Sequence, residues 1–260
     1  MPRLALACEY DGTDFVGWQA QANGRSVQAV LTEAIGTVAD EPVVVHGAGR
    51  TDAGVHADFQ VAHFDTRATR TPRQWLLGIN ANLPPDVAAT WARAVPDDFD
   101  ARRSALARRY RYSIVNAETR PALARRFAWW VREPLDCAAM TQASGAWIGE
   151  HDFSAFRAAN CQSSTPMRRV QTVRIDRVER RVEIDVVANA FLYHMVRNLV
   201  GVLAEIGRGR APPAWAEEVL RGRDRTKAAQ TAPACGLTLV DVRYPDALGL
   251  PYAEERAAPL

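Results

Sequence analysis

Between Gly47 and His56 the chain reads Gly-Ala-Gly-Arg-Thr-Asp-Ala-Gly-Val-His, and this run holds residues suited to chemistry. Glycines at 47, 49 and 54 let backbone turn tightly or lie close to a ligand. Arg50 and Asp52 stand two apart, between two strand-like runs. Taken alone, Asp52 reads most simply as a turn residue bonded to its own backbone. The run lacks the third glycine of the dinucleotide fingerprint and the Gly-Lys-Ser/Thr of a P-loop, so a phosphate cradle is not expected.

Two further segments carry reactive side chains. Ala107–Val115 reads Ala-Arg-Arg-Tyr-Arg-Tyr-Ser-Ile-Val. As a strand it sets Tyr110, Tyr112 and Ile114 on one face and Arg109, Arg111 and Val115 on the other. Aromatics beside arginines suit nucleobase stacking with phosphate neutralisation. The alternative is that the tyrosines are core, which the depth of Tyr112 in the strand favours for that residue. The run from Asn189 to Gly201 is apolar on most of a helical wheel, with Tyr193, His194, Arg197, Asn198 and Gly201 as a narrow polar stripe. So apolar a helix is largely buried. A buried arginine needs an acidic partner, because an unpaired buried charge costs about 3–5 kcal/mol. Asp52 and Glu205 are candidates for Arg197; a stem reaching to solvent is the alternative.

These segments need elements to hold them. Residues 3–10 alternate as a strand, and Ser26 caps a helical stripe running from Val27 to Val38. Strands are expected at 43–48 and 59–66, on either side of the glycine-rich loop. Thr71-Pro72 opens a short helix, and 86–95 is a strand. After the polar break at Pro96-Asp97-Asp98 the grammar repeats: a strand at 107–116, a helix at 135–148, strands at 169–179 and 182–188, the longest helix at 190–206, a helix from Pro212 to Gly222, and a last strand at 236–244. The order of elements predicts an α+β protein of two sheet-and-helix lobes. Residues 1–100 are expected to form the lobe with the glycine-rich loop, and 101–260 the lobe with the tyrosine strand and the arginine helix.

Composition sets the remaining bounds. The chain has 260 residues, 48% hydrophobic and 24% charged, which is ordinary for a globular protein and excludes disorder, collagen and coiled coil. At this size about three-quarters of the chain's surface can be buried. No apolar run approaches the roughly 18 residues of a membrane helix, and acids arrive too early for a signal peptide. Net charge is only +2, yet residues 101–126 hold eight arginines and one acid, and 157–181 seven arginines and two acids. Lys227 is the sole lysine. Two basic segments on a nearly neutral chain point to a polyanion-binding face. The four cysteines are widely spaced, which suits reduced thiols in a cytoplasm. His56 and His63 lack the spacing of a zinc motif, so no metal is expected.

The stretch from Gly49 to Ala57 resembles the catalytic signature of the tRNA pseudouridine synthase A family. Similar too are Tyr10-Asp11-Gly12-Thr13 with Gly17-Trp18-Gln19, Asn80-Ala81-Asn82-Leu83-Pro84, Arg108 to Tyr112, His151-Asp152-Phe153, Phe191 to Gly201, and Gly236-Leu237. Two positions depart from the pattern. Arg103 stands where an aromatic or apolar residue is usual, and Ser164 where a basic one is common. The resemblance implies a pseudouridine synthase fold, with two lobes sharing a mainly antiparallel sheet around a central cleft. It implies an isomerase that converts uridine to pseudouridine at positions 38, 39 and 40 of the tRNA anticodon stem-loop. Asp52 would be the nucleophile, with Arg197 as its partner. Tyr110 would stack on the uracil, and Arg50 would help hold the extruded nucleotide. Arginines at 102–126 and 157–181 would meet phosphates. The resemblance implies a cytoplasmic homodimer with tRNA as partner and neither cofactor nor metal. Two other readings remain open from the residues: an RNA-binding protein without activity, and a metal-dependent phosphate hydrolase using Asp11, Asp14 or Asp52.

Overall fold

The computed structural model describes residues 1–251, and the chain divides by its internal contacts into two units. The first is Met1–Leu106 joined by the segment from Leu239 onward, and the second is Ala107–Thr238. In the first unit the elements run β1 (Arg3–Tyr10), α1 (Val27–Ala39), β2 (His46–Gly47), β3 (His56–Asp65), α2 (Pro72–Asn82) and β4 (Val87–Val95). β1 lies between β3 and β4 and is antiparallel to both, with Leu6 opposite Ala62 and Ala92. Leu4 through Cys8 are therefore buried on both faces, which is why their alternation is loose in the sequence.

Local signals start both helices. Ser26 accepts the Ala29 amide at 3.3 Å. Thr71 and Gln74 form a reciprocal capping box, with Pro72 in the first turn. α2 sets Trp75 edge-on against Phe64 of β3, ring centres 5.5 Å apart. Asn80 ties the helix to β4: its amide donates to the Ala89 carbonyl at 2.9 Å and accepts the Ala89 N–H at 2.8 Å. That is beside the β4 bulge, where Trp91 faces Ala7 and Ala89 faces Cys8. The polar break at 96–98 precedes the first crossing between units. At the return, the Tyr244 hydroxyl donates to the Ala101 carbonyl at 2.6 Å and the Leu106 amide to Arg243 at 2.8 Å.

The second unit holds β5 (Ala107–Asn116), β6 (Trp129–Val131), α3 (Cys137–Ser144), β7 (Gly149–Asp152), β8 (Met167–Val178), β9 (Arg181–Ala188), α4 (Met195–Gly207) and α5 (Trp215–Gly222). The final strand β10 (Leu237–Arg243) begins here and ends in the first unit. Strand order is β5-β9-β8-β7, all antiparallel, with β6 parallel beside β5. α4 is buried almost all round, from Met195 to Ile206. α3 approaches it so closely that a Cβ at Gly207 would lie 2.7 Å from the Met140 sulfur. Both units are thus α+β, as the sequence predicts.

Strands β6 and β7 are not among the expected elements, α5 starts at Trp215 rather than Pro212, and three further elements differ. The strand at 43–48 pairs only over His46–Gly47, and the helix at 135–148 is α3 followed by a tight turn through Trp147. The helix at 190–206 starts at Met195, because His194 is left-handed (φ 63°) and a Leu192–Met195 turn precedes the first helical turn. Apolar periodicity cannot separate a buried approach from a buried helix.

His63 of β3 is buried, accepts the Ala101 amide on Nδ1 at 3.1 Å, stacks on His46 and meets Phe99 edge-on. Burial pushes its pKa down, and Arg3 and His46 push the same way against Asp100 and Asp65. The unfolded chain therefore takes up this proton near pH 6.5, before the folded one does. Stability is level above about pH 6.5, falls as pH drops through the window down to the depressed folded value, and levels again. Urea midpoints should show a smaller fall between about pH 7 and 5 in His63→Asn than in the unsubstituted protein. An equal fall would show that His63 does not titrate in this way.

Candidate active site

The loop between β2 and β3 is held by buried main-chain contacts. At its entry the Ala48 amide donates to Val61 at 2.7 Å, and the fully buried Gln60 donates to the Gly49 carbonyl at 2.7 Å. In the middle, the buried Thr51 is gripped twice: its hydroxyl pairs with that of Tyr10 at 2.8 Å, and its carbonyl accepts the Trp18 amide at 3.0 Å. Asp52 then opens a tight turn in which its carbonyl accepts the Val55 amide at 3.1 Å and Gly54 takes φ 75°. This is the glycine position of a type II turn. The turn is closed by the main chain of Asp52, so its closure does not call on the carboxylate.

The segment from Tyr10 to Trp18 forms the back wall of this loop, and its glycines explain themselves. A Cβ at Gly12 would sit 1.9 Å from the Val55 carbonyl oxygen, and one at Gly17 (φ 111°) would sit 2.7 Å from that of Thr51. Only glycine lets the two backbones approach so closely. The Gly12 amide donates to Nδ1 of the buried His56 at 3.0 Å. The Asp11 carboxylate, 3.2 Å from the same nitrogen, is fixed instead by the Thr13 amide at 3.0 Å and hydroxyl at 2.6 Å. Arg25 braces the wall from behind: it pairs with Asp86 at 2.6 Å and lies 4.2 Å over the Phe15 ring. Its hydrogen bonds hold the Asp86 carboxyl below the usual range. On this frame Asp52 is half-buried and Arg50 exposed.

In the second unit β5 separates its two tyrosines. Tyr112 is fully buried, donates to the Pro233 carbonyl at 2.8 Å, and has its phenol pKa pushed well up by burial. A Cβ at Gly236 would meet the Tyr112 ring at 2.6 Å, so Gly236 is where the chain passes over it. Tyr112 is core. Tyr110 is also buried, at 7% exposure, and meets the half-buried Phe191 edge-on, ring centres 5.0 Å apart at 87°. The sequence gives no sign of this partner, because it places Phe191 on a helix that starts only four residues later.

The arginines of the two basic segments divide. Arg109 and Arg111 both reach Asp185, each at 3.0 Å, and Arg108 donates to the Asn189 carbonyl at 2.8 Å. Arg157 holds the carbonyls of Cys161 and Ser163 at 2.7 and 2.8 Å, and Arg168 is buried. These side chains build the protein. Arg102, Arg103, Arg120, Arg125, Arg126, Arg169, Arg180 and Arg181 are exposed.

Arg197 is half-buried on α4, with Nε donating to the Ala232 carbonyl at 2.8 Å and the Ala232 amide returning to the Arg197 carbonyl at 3.1 Å. The fully buried Asn198 donates to Phe156 at 2.8 Å and accepts from Thr231 at 2.6 Å and Arg225 at 3.1 Å. A Cβ at Gly201 would lie 2.1 Å from the Gln230 carbonyl oxygen. The polar stripe on the wheel thus grips the chain between Arg225 and Ala232. Glu205 binds Arg208 at 2.7 Å and Arg210 at 3.4 Å. Arg50 and Asp52 belong to the first unit, and Tyr110 and Arg197 to the second. Among the described residues no group of three or more His, Cys, Asp or Glu side chains is placed to hold a metal ion, and no helix is long and apolar enough to cross a membrane.

Comparison with known proteins gives a consistent result. The family model described as "tRNA pseudouridine synthase" matches residues 6–102 and 143–245. A tRNA pseudouridine synthase A of Nitrosococcus oceani is 52% identical over 96% of this chain and 96% of that protein. Those of Coxiella burnetii and Shewanella amazonensis are 51% and 52% identical over 96% of this chain, covering 96% and 95% of theirs. Among solved structures, a Cbf5-Nop10-Gar1 complex matches at TM-score 0.35 and 11% identity, over 77% of this chain and 54% of that one, too distant to carry weight.

The closeness of Gly17 to the loop gives a direct check. Gly17→Ala places a Cβ against the Thr51 carbonyl in a backbone region L-residues avoid, and should cost about 1–3 kcal/mol. Hydrogen exchange should quicken at the Val55 amide, which closes the Asp52 turn. Unchanged protection there would show that the back wall does not set the loop.

Proposed function

We propose a role for each residue of the site on one premise: the chain belongs to the tRNA pseudouridine synthase family. It is an isomerase acting on tRNA, converting uridine to pseudouridine. In that reaction the N1–C1′ bond breaks, the uracil turns, and a C5–C1′ bond forms. The proton lost at C5 is matched by one gained at N1. Atoms and electrons balance within the nucleotide, so we assign the site no cofactor and no metal.

Asp52 is the nucleophile in this reading. Its carboxylate has three routes: attack on C1′, attack on C6, or assistance to elimination, and each needs the ionised form. A guanidinium within about 4–6 Å favours that form, and Arg197 is the partner we assign. Its Nε donates to the Ala232 carbonyl. Tyr110 stacks on the uracil, steadied by the Phe191 edge. Arg50, exposed on the loop, holds the extruded nucleotide. A base leaves its stack at a cost of a few kcal/mol, which phosphate contacts from the exposed arginines offset. The target is the anticodon stem-loop at positions 38 to 40, and the working form is a cytoplasmic homodimer; these follow from the resemblance. The observation that carries the reading is the buried clamp on Thr51 and Val55, which fixes the main chain of one aspartate.

Tritium release from tRNA labelled at uridine C5 tests the roles separately. Asp52→Ala should lose at least about 10³-fold in turnover while keeping its fold. Release that persists in this variant, or that needs a divalent metal, overturns the assignment. Arg197→Met should lose turnover by a similar factor with tRNA affinity within a few-fold. Retained turnover would make Arg197 a purely structural grip on Ala232.

A further inference from the structure

We infer that Tyr193 and His194 form a stacking platform for the nucleobase next to the target uridine, an inference that rests on Tyr110 receiving the uracil. Tyr193 is 44% exposed, although it lies in a segment of buried and half-buried neighbours. Its ring lies against that of His194, centres 4.0 Å apart and planes 34° from parallel. The pair therefore presents an aromatic face to solvent that the core does not use.

The segment carrying it is fixed on both sides. The Tyr193 carbonyl accepts the Ala158 amide at 3.1 Å, and its amide donates to the Cys161 sulfur at 3.4 Å. Asn189, at the start of the segment, accepts the Arg169 amide at 3.0 Å and returns its own amide to the Arg169 carbonyl at 3.1 Å. His194 holds a left-handed φ of 63°. Such strain persists in a non-glycine residue only where the surroundings over-determine it, and it gathers at working positions. A rigid aromatic has little left to lose on binding.

Position and charge name the ligand. Tyr193 follows Phe191, which touches Tyr110, by two residues. Their Cα atoms are at most about 7 Å apart, short enough for adjacent nucleotides to reach both rings. The exposed Arg169 has its main-chain amide bonded to Asn189 at the foot of the same segment. An aromatic face with an arginine close to it in the fold suits an unstacked base and its phosphate. Stacking tolerates any base, because every base has a π-face, so the platform reads the presence of a neighbour rather than its identity.

The test uses an anticodon stem-loop RNA with 2-aminopurine on either side of the target uridine. In the full-length Asp52→Ala protein, one of the two positions should change fluorescence on binding, and Tyr193→Ala added to it should remove that change. In the otherwise unsubstituted enzyme, Tyr193→Ala should raise KM about tenfold with kcat within about threefold. Tyr193→Phe and Tyr193→Trp should restore KM. An abasic site at the responding position should cost as much as Tyr193→Ala, and the two together no more than either alone. Unchanged KM and fluorescence in Tyr193→Ala, or losses that multiply with the abasic site, overturn the platform. Failure of the unsubstituted enzyme to form pseudouridine in tRNA would instead overturn the catalytic reading, and the binding fluorescence would still judge the platform.

Discussion

The reaction proposed for this site asks that the main chain of one carboxylate stay put beside the RNA. The structure meets this with one close approach of two backbones. The run from Tyr10 to Trp18 lies so near the loop from Thr51 to Val55 that neither Gly12 nor Gly17 has room for a Cβ. Two buried groups, the Tyr10 hydroxyl and the Trp18 amide, then hold Thr51. Buried main-chain groups must be paired, so sliding the loop would break several such pairs at once. The Asp52 side chain is excused from this work, because its turn closes through the main-chain carbonyl.

The second unit uses the same device with different parts. α4 is apolar enough to be driven into the core by burial alone. Its polar residues then serve the chain that crosses it: Arg197 and Ala232 exchange main-chain and guanidinium bonds, Asn198 spends its whole amide on three partners, and Gly201 admits the Gln230 carbonyl. The half-buried Arg197 is so held at its Nε. This answers the puzzle of Arg197 in the sequence differently from a simple ion pair: its Nε has a main-chain partner whatever its outer edge meets.

What the sequence discloses follows from the range of the forces involved. Caps are local, so Ser26 and the Thr71–Gln74 box can be read from neighbours in the chain. Strand alternation is local too, and it placed Tyr110 and Tyr112 on one face of β5. It could not say that Gly236, more than a hundred residues on, lies over Tyr112 and makes it core. Nor could it reveal that Arg109 and Arg111 are spoken for by Asp185, since cross-strand register is a tertiary fact. Phe191 and His194 were hidden for a different reason. One left-handed residue ends the periodicity that a helical wheel assumes, and nothing in a non-glycine side chain announces it.

That break in periodicity has a structural consequence. The helix begins at Met195, and in the segment before it Phe191 meets Tyr110 while Tyr193 is exposed. The same segment thus touches the Tyr110 ring and carries an exposed aromatic of its own. The strain at His194 is the cost of that geometry, and the anchors at Asn189, Ala158 and Cys161 are what sustain it.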